Sequence, residues 1–494
     1  HHPHHPHHPP LMTHRQLTYT QYHQEPAPLF GWLAVLGLIA FTVVCITGGL
    51  GSIFRPAYVL ISLLVGIFLY ARYPVMYMGF VWWMWFITPL LSRLIDYRST
   101  FDESRFILIS QYLVTLITLY GGLKNLPKFY FQGGLPFILA FAGVFYGFLI
   151  GLIKTSPFTA ARGLLDWLTP VSFGFYLFMK WRDYPQYRQN IQRVFLWGVL
   201  LSGIYGIVQY MTAPEWDRLW LIKTKLESMG EPEPLKIRVW STMASSGPFA
   251  VMMMSGLLLL FSGKANNILG FPAAAVGYLS FLLTMVRLMW GSWLIGLLTL
   301  MTSLKVRLQM RLVITLVIMA LCVLPLTTME PFASTISDRI ETFTNLENDS
   351  SAKIRQQIYE DGLNAALTNA LGNGIGNTFI VNEEGVLEPI VVDSGVLDSF
   401  FTLGWFGAVM YLGGMILLIF KILQSSEFRS DSFMAATRAI ALACILAMPG
   451  FSIMLGFSGM FIWGFLGITF AAHKYHQHQR AMQFHHEQWD SQNL

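Results

Sequence analysis

The chain is dominated by apolar runs of about 17–23 residues, the length needed to cross about 30 Å of hydrocarbon. Such runs must be helices, because lipid cannot satisfy the open edge of a strand. Over 494 residues, 54% are hydrophobic and 12% charged, which excludes a soluble globular class. The fold class is therefore all-α, a polytopic transmembrane helical bundle of about 12–14 spans.

The runs fall at 30–50, 57–70, 75–91, 106–120, 135–153, 164–180, 194–211, 247–261, 268–284, 285–302, 312–328, 397–422, 435–455 and 460–472. The pair meeting at Thr284 and Met285 requires a very tight turn. The organisation is a tail at 1–29, opening on a His/Pro-rich stretch, then helices over 30–211 and a first outer loop over 212–246. Central helices over 247–329, a large outer loop over 330–396, final helices over 397–472 and a tail at 473–494 complete it. Lys and Arg favour the side that carries Lys128, Arg182, Lys421 and Arg429. By the positive-inside rule, this puts both termini in the cytoplasm and the two long loops outside.

All histidines lie in the tails, none between His23 and His473. Any chemistry in the body therefore proceeds without the commonest proton-transfer side chain near neutral pH. The cysteines Cys45, Cys322 and Cys444 lie in predicted spans and read as packing residues. No zinc spacing, Walker A motif or nucleophile elbow is present, and nothing points to nucleic acid or a cofactor.

Polar candidates gather at the outer ends of spans. Arg287 opens a span in TMVRLMWGSW, where an arginine costs roughly 2.5–3.5 kcal/mol at a helix centre and usually lines a cavity. The bland reading is snorkelling, with Trp290 and Trp293 as belt residues. Arg238 and Ser245 lie in RVWSTMASSGP at a helix entry, which suits an anion or sugar or an ordinary cap. In the large loop, Arg339 follows Ser337 and Asp338. Arg355 and Tyr359 lie on a helix expected over 352–371, with Ile354, Ile358, Leu363, Ala366 and Leu367 on its apolar side. Gly372, Gly374 and Gly376 would stop that helix. Guanidinium forks match pyrophosphate bidentately, whereas single charges more often mark a solvated face. Asp393 in VVDSGVLD reads either as a general base or, with Ser394, as the cap of the following span. Glu231 and Glu233 read as a cation pair or a solvated turn.

These elements, in this order, resemble the bacterial O-antigen polymerase/ligase family. The stretches that carry the resemblance are RVWSTMASSGPFA, TMVRLMWGSWL, SSAKIRQQIYEDGLNAALTNALGNGIGNTF and VVDSGVLDSFFTLGWFGAVMYLGG, over about 205–414. The resemblance implies a GT-C-like, inverting, metal-independent glycosyltransferase of the bacterial inner membrane, working on its outer side. Its donor would be an undecaprenyl-pyrophosphate-linked oligosaccharide in the lipid bilayer, with chain-length regulator and flippase proteins as partners. It places Arg287, Arg355 and Arg238 at the donor pyrophosphate. Ligases of that family carry a histidine before the returning span, where this chain has Asp393, Ser394 and Gly395. That departure favours a surface-polysaccharide polymerase, or a ligase variant using a carboxylate. With pyrophosphate as a good leaving group, Asp393 and Arg287 would supply base and charge stabilisation. Rival readings are a secondary transporter of an anion or small metabolite, which predicts inverted repeats and broken helices, and a lipid-linked oligosaccharide flippase.

Overall fold

The computed structural model describes residues 28–262, 268–328, 332–344, 350–381, 384, 387–389 and 392–494. The His/Pro-rich start lies outside these residues. The described residues form an all-helical, polytopic bundle with one small hairpin of strands. The helices are α1 (Leu29–Thr47), α2 (Gly51–Arg72), α3 (Pro74–Arg98), α4 (Ile109–Phe129), α5 (Leu135–Lys154), α6 (Pro157–Met179) and α7 (Tyr184–Thr212). They continue as α8 (Glu215–Thr224), α9 (Ser246–Leu260), α10 (Gly270–Leu283), α11 (Arg287–Ser303), α12 (Val306–Thr328) and α13 (Phe332–Thr344). After α14 (Ser350–Thr368) comes the antiparallel hairpin of β1 (Phe379–Val381) and β2 (Leu387–Pro389). The chain closes with α15 (Gly395–Gln424), α16 (Ser432–Ala447) and α17 (Gly456–Gln492).

Among the described residues, eight helical segments are long and apolar enough to cross a membrane. Helices α9 and α10 are shorter, at 15 and 14 residues. Every apolar run predicted from sequence meets a helix, and the run at 435–455 is cut furthest short of its predicted end. The run at 435–455 leaves the helix at Ala447 and continues as a short turn and irregular chain to Leu455. Pro449, followed by Gly450, accounts for that stop.

Glycines set how closely the helices approach. A Cβ on Gly174 or Gly467 would strike the facing backbone between α6 and α17, and one on Gly143 or Gly414 the backbone between α5 and α15. Such small residues let membrane helices pack through van der Waals contact where no hydrophobic force drives them together. The aromatic core centres on Trp82, which touches Phe173, Phe195 and Phe461.

The glycine run of the large loop does more than stop a helix. Gly372, Gly374 and Gly376 all have positive φ, and the run wedges against α5, α6 and α15. A Cβ on Gly374 would lie 2.5 Å from the Gly151 nitrogen. Helix α15 is broken at Gly404 (φ 71°, ψ 178°). The carbonyls freed there accept from the wedge: Asn373 N–H donates to Phe401 O at 2.7 Å and Gly374 N–H to Thr402 O at 2.9 Å. Trp405 N–H in turn donates to Ala370 O at 3.0 Å. Irregular backbone survives in a bundle of this kind only where protein re-satisfies it, as the loop does here.

Helix α14 keeps only part of the expected amphipathic pattern. Gly362 and Ala366 are buried, whereas Ile354 and Leu367 are 61% and 57% exposed. Small residues allow the close approach: a Cβ on Gly362 would sit 3.4 Å from Val392. Trp405 clasps the same helix from α15 by donating to Ala366 O at 3.2 Å.

Candidate functional site

Contacts at one end of the bundle gather most of the sequence candidates around the segment between α16 and α17. The first outer loop is pinned there by Arg93 of α3. Arg93 Nε lies 2.6 Å from Asp217 Oδ1 and its other nitrogens donate to Met243 O and Ser241 O. Asp217 Oδ2 accepts from Tyr205 and Gln209. With the loop fixed, the Arg238 guanidinium reaches Thr284 O at 3.2 Å, Met285 O at 3.0 Å and Ser228 O at 2.9 Å. It therefore holds the tight turn between α10 and α11, where Met285 takes a left-handed φ of 58°. A residue so engaged positions its neighbours.

The neighbour it positions is Arg287, the first residue of α11, 5% exposed. A buried guanidinium at a helix N-terminus adds its charge to the free N–H groups there and favours an anion. Trp290 anchors the same turn by donating to Phe281 O at 3.3 Å, and Trp293 packs edge-on against Tyr278.

Phe451 ties this basic corner to the returning loop. A Cβ on Gly247 would lie 3.1 Å from its ring, and one on Gly395 3.0 Å from its carbonyl oxygen. Gly450 beside it faces Leu288, the residue after Arg287. Ser245, half-buried, precedes α9 without capping it through its side chain. Ser394 is the cap of α15, accepting from Leu397 N–H at 3.4 Å. Asp393 is thus spared the capping role, is half-buried, and makes no hydrogen bond or ion pair among the described residues.

The structure places the loop arginines by their helices. Arg339 lies on α13, which packs against α7 through Phe332 on Tyr210 and Thr335 2.7 Å from the Tyr210 hydroxyl. Arg355 lies on α14 and Tyr359 is 45% exposed. The side chains of Arg339 and Arg355 lie outside the described residues. Glu231 and Glu233 both face Lys236, at 3.4 and 3.1 Å. Among the described residues no group of His, Cys, Asp and Glu has the arrangement of a metal site.

Two carboxylates escaped the sequence reading. Asp398 accepts from Thr402 at 2.8 Å and faces Ser452 Oγ at 3.1 Å, and that hydroxyl also lies 3.4 Å from Val392 O, one residue before Asp393. Asp166 of α6 accepts from Tyr112 at 2.5 Å and lies within electrostatic reach of Asp398. Neither makes an ion pair among the described residues. The signal was available: an ionisable residue inside a predicted span is a functional candidate by default, and Asp166 falls in the run at 164–180.

Compared with protein-family models and with curated proteins, the chain has no match in either.

Proposed function

We propose that this protein is a membrane glycosyltransferase that polymerises a polyprenyl-pyrophosphate-linked glycan on the outer side of a bacterial inner membrane. The observation that carries the reading is the corner built from Arg238, Arg287, Ser245 and Asp393, with the two long loops at the same end of the bundle. Its parts match what the reaction demands. The departing pyrophosphate needs fixed positive charge, which Arg287 supplies at the start of α11 and which electrostatic preorganisation makes effective. The attacking sugar hydroxyl needs a proton acceptor, and Asp393 has a carboxylate with no competing partner among the described residues. Arg238 serves by holding the turn that presents Arg287. Arg355 and Arg339 would reach the donor from the large loop.

In this scheme the acceptor hydroxyl oxygen attacks the anomeric carbon, its proton passes to Asp393, and the bond from that carbon to the pyrophosphate oxygen breaks. The configuration inverts because attack and departure occur on opposite faces. A ligase variant, moving finished glycan to another acceptor, would use the same groups.

One observation favours a second reading, a secondary transporter. Helix α15 is broken at Gly404 and two carboxylates, Asp166 and Asp398, lie in neighbouring helices, features that transporters use for coupling ions. Against it, the freed backbone groups at the break are taken up by the 370–374 segment.

The test is the surface-glycan profile of a strain lacking the protein, complemented with wild type, Arg287→Ala or Asp393→Ala at matched membrane levels. Restoration of long polymer by wild type, with single lipid-linked repeats in Arg287→Ala, supports the polymerase. Long chains that remain on the lipid carrier without the protein indicate the ligase. An unchanged glycan in every strain overturns both.

A further inference from the structure

The opposite end of the bundle carries a cluster of cations that the glycan-transfer reading does not use. Helix α4 ends in a kink at residues 130–134, where Gly133 takes a φ of 98°. Lys474 of α17 reaches across to this kink and donates to Gln132 O at 2.7 Å. Its ammonium also lies 5.3 Å from the rings of both Phe178 and Trp181. Lys128, Arg182 and Lys421 converge on the same place and act on Lys474 as like charges. Lys128 lies over Phe129 at 5.6 Å, Arg182 over Trp181 at 5.0 Å and Lys421 over Phe470 at 5.4 Å.

No carboxylate answers these four cations among the described residues. Of the acidic groups at this end, Glu427 pairs with Arg480 and Asp431 with His476 and Arg188, while Asp183 follows Arg182 in the turn before α7. The histidines against the cluster, His478 edge-on to Trp181 and His473 beside Phe470 and Lys421, add no negative charge. Like charges held together without a counter-ion repel, and an anion bound between them removes that cost.

We propose that this cluster is a binding site for the phosphate headgroup of an anionic phospholipid, seated at the kink between α4 and α5. Free phosphate shares the charge chemistry, but the surroundings favour the lipid. Phe131 is 87% exposed and Tyr130 48% exposed at the same kink, an arrangement that suits the interface of a bilayer. Basic pockets between helices on the cytoplasmic side hold lipid headgroups by the same physics, and the excess of Lys and Arg assigns this end to the cytoplasm. The proposal stands apart from the glycan-transfer reading.

The test uses the full chain purified in neutral detergent. Retention of phosphatidylglycerol and of phosphatidylcholine is compared by native mass spectrometry, together with the thermal stabilisation given by each lipid and by inorganic phosphate. The triple variant Lys128→Gln, Lys421→Gln, Lys474→Gln is set against a control variant Lys223→Gln, Lys225→Gln, Lys236→Gln at the opposite end. The site predicts that phosphatidylglycerol is preferred, and that the triple variant weakens its retention by about tenfold or more while the control does not. Should the triple variant fail to fold, Lys421→Gln alone predicts a smaller loss in the same direction. Equal retention of the two lipids, undiminished retention in the variants, or full stabilisation by inorganic phosphate overturns it.

Discussion

Arg93 and Asp217 form a salt bridge at 2.6 Å in which neither side chain is exposed beyond 1%. The pair joins α3 to the first outer loop across 124 positions of sequence, and the loop carries Arg238. Removing one partner leaves the other charge buried and unpaired, which costs about 3–5 kcal/mol. Asp217→Ala is expected to lower the thermal midpoint in detergent sharply. The double variant Arg93→Met, Asp217→Leu should recover much of that loss, since it buries no orphan charge. A double variant as unstable as the sum of the singles would contradict this account.

The glycine wedge predicts a local effect. Gly374→Ala places a Cβ against Gly151 and keeps a φ of 89° that alanine resists, at about 1–3 kcal/mol for the backbone strain alone. The large loop should then loosen from α15, seen as faster proteolytic cleavage within 332–394 while the rest of the bundle resists. Gly413→Ala, where a Cβ meets nothing, serves as the neutral comparison.

Asp431 predicts a pH dependence at the other end. Burial pushes its carboxyl up, but hydrogen bonds from His476, Tyr184 and the Met434 N–H, with Arg188 nearby, outweigh burial and hold it below the ordinary value. A carboxyl lowered on folding stabilises above its unfolded value, near pH 4, and that stabilisation is lost as pH falls through the folded value. Wild type should therefore be more stable than Asp431→Asn at neutral pH, with the two midpoints converging in acid below about pH 4. A gap that widens in acid would refute the assignment.

The Asp398 carboxyl and Ser452 hydroxyl face each other beside the Val392 carbonyl. When Asp398 is ionised, the single Ser452 proton serves one acceptor at a time; a neutral group at 398 can donate to Ser452 while Ser452 donates to Val392 O. Asp398→Asn should thus preserve stability, whereas Asp398→Ala should lose about 1–3 kcal/mol from the unsatisfied hydroxyl partners. Equal loss in both variants would show that the network does not work this way.

The helices were legible in the sequence because hydrophobic run length is a direct consequence of bilayer thickness. The turn at Thr284 and Met285 and the cap at Ser394 were legible for similarly local reasons. The wedge at Gly372–Gly376 was read only as a helix stop, because its function depends on Gly404, far along the chain and itself inconspicuous in an apolar run. The docking face of α14 was legible at Ala366 but not at Gly362, because periodicity marks apolar side chains while the close contact also uses a glycine. Arg238 looked like a ligand from its basic side chain, yet its carbonyl partners at Thr284 and Met285 come from another segment that no local pattern announces. Asp166 and Asp398 were legible as ionisable residues inside apolar runs, but their partners Tyr112 and Ser452 come from other segments.

The most direct test of the central claim is glycan transfer by the purified protein in lipid vesicles, supplied with a polyprenyl-pyrophosphate-linked repeat as both donor and acceptor. The account predicts stepwise lengthening with release of polyprenyl pyrophosphate by wild type. It also predicts loss of about two to four orders of magnitude in rate for Asp393→Ala, the scale of general base catalysis, with donor retention intact. Arg287→Ala should lose both rate and donor retention. No lengthening by a folded wild-type protein, or undiminished rates in both variants, would contradict it.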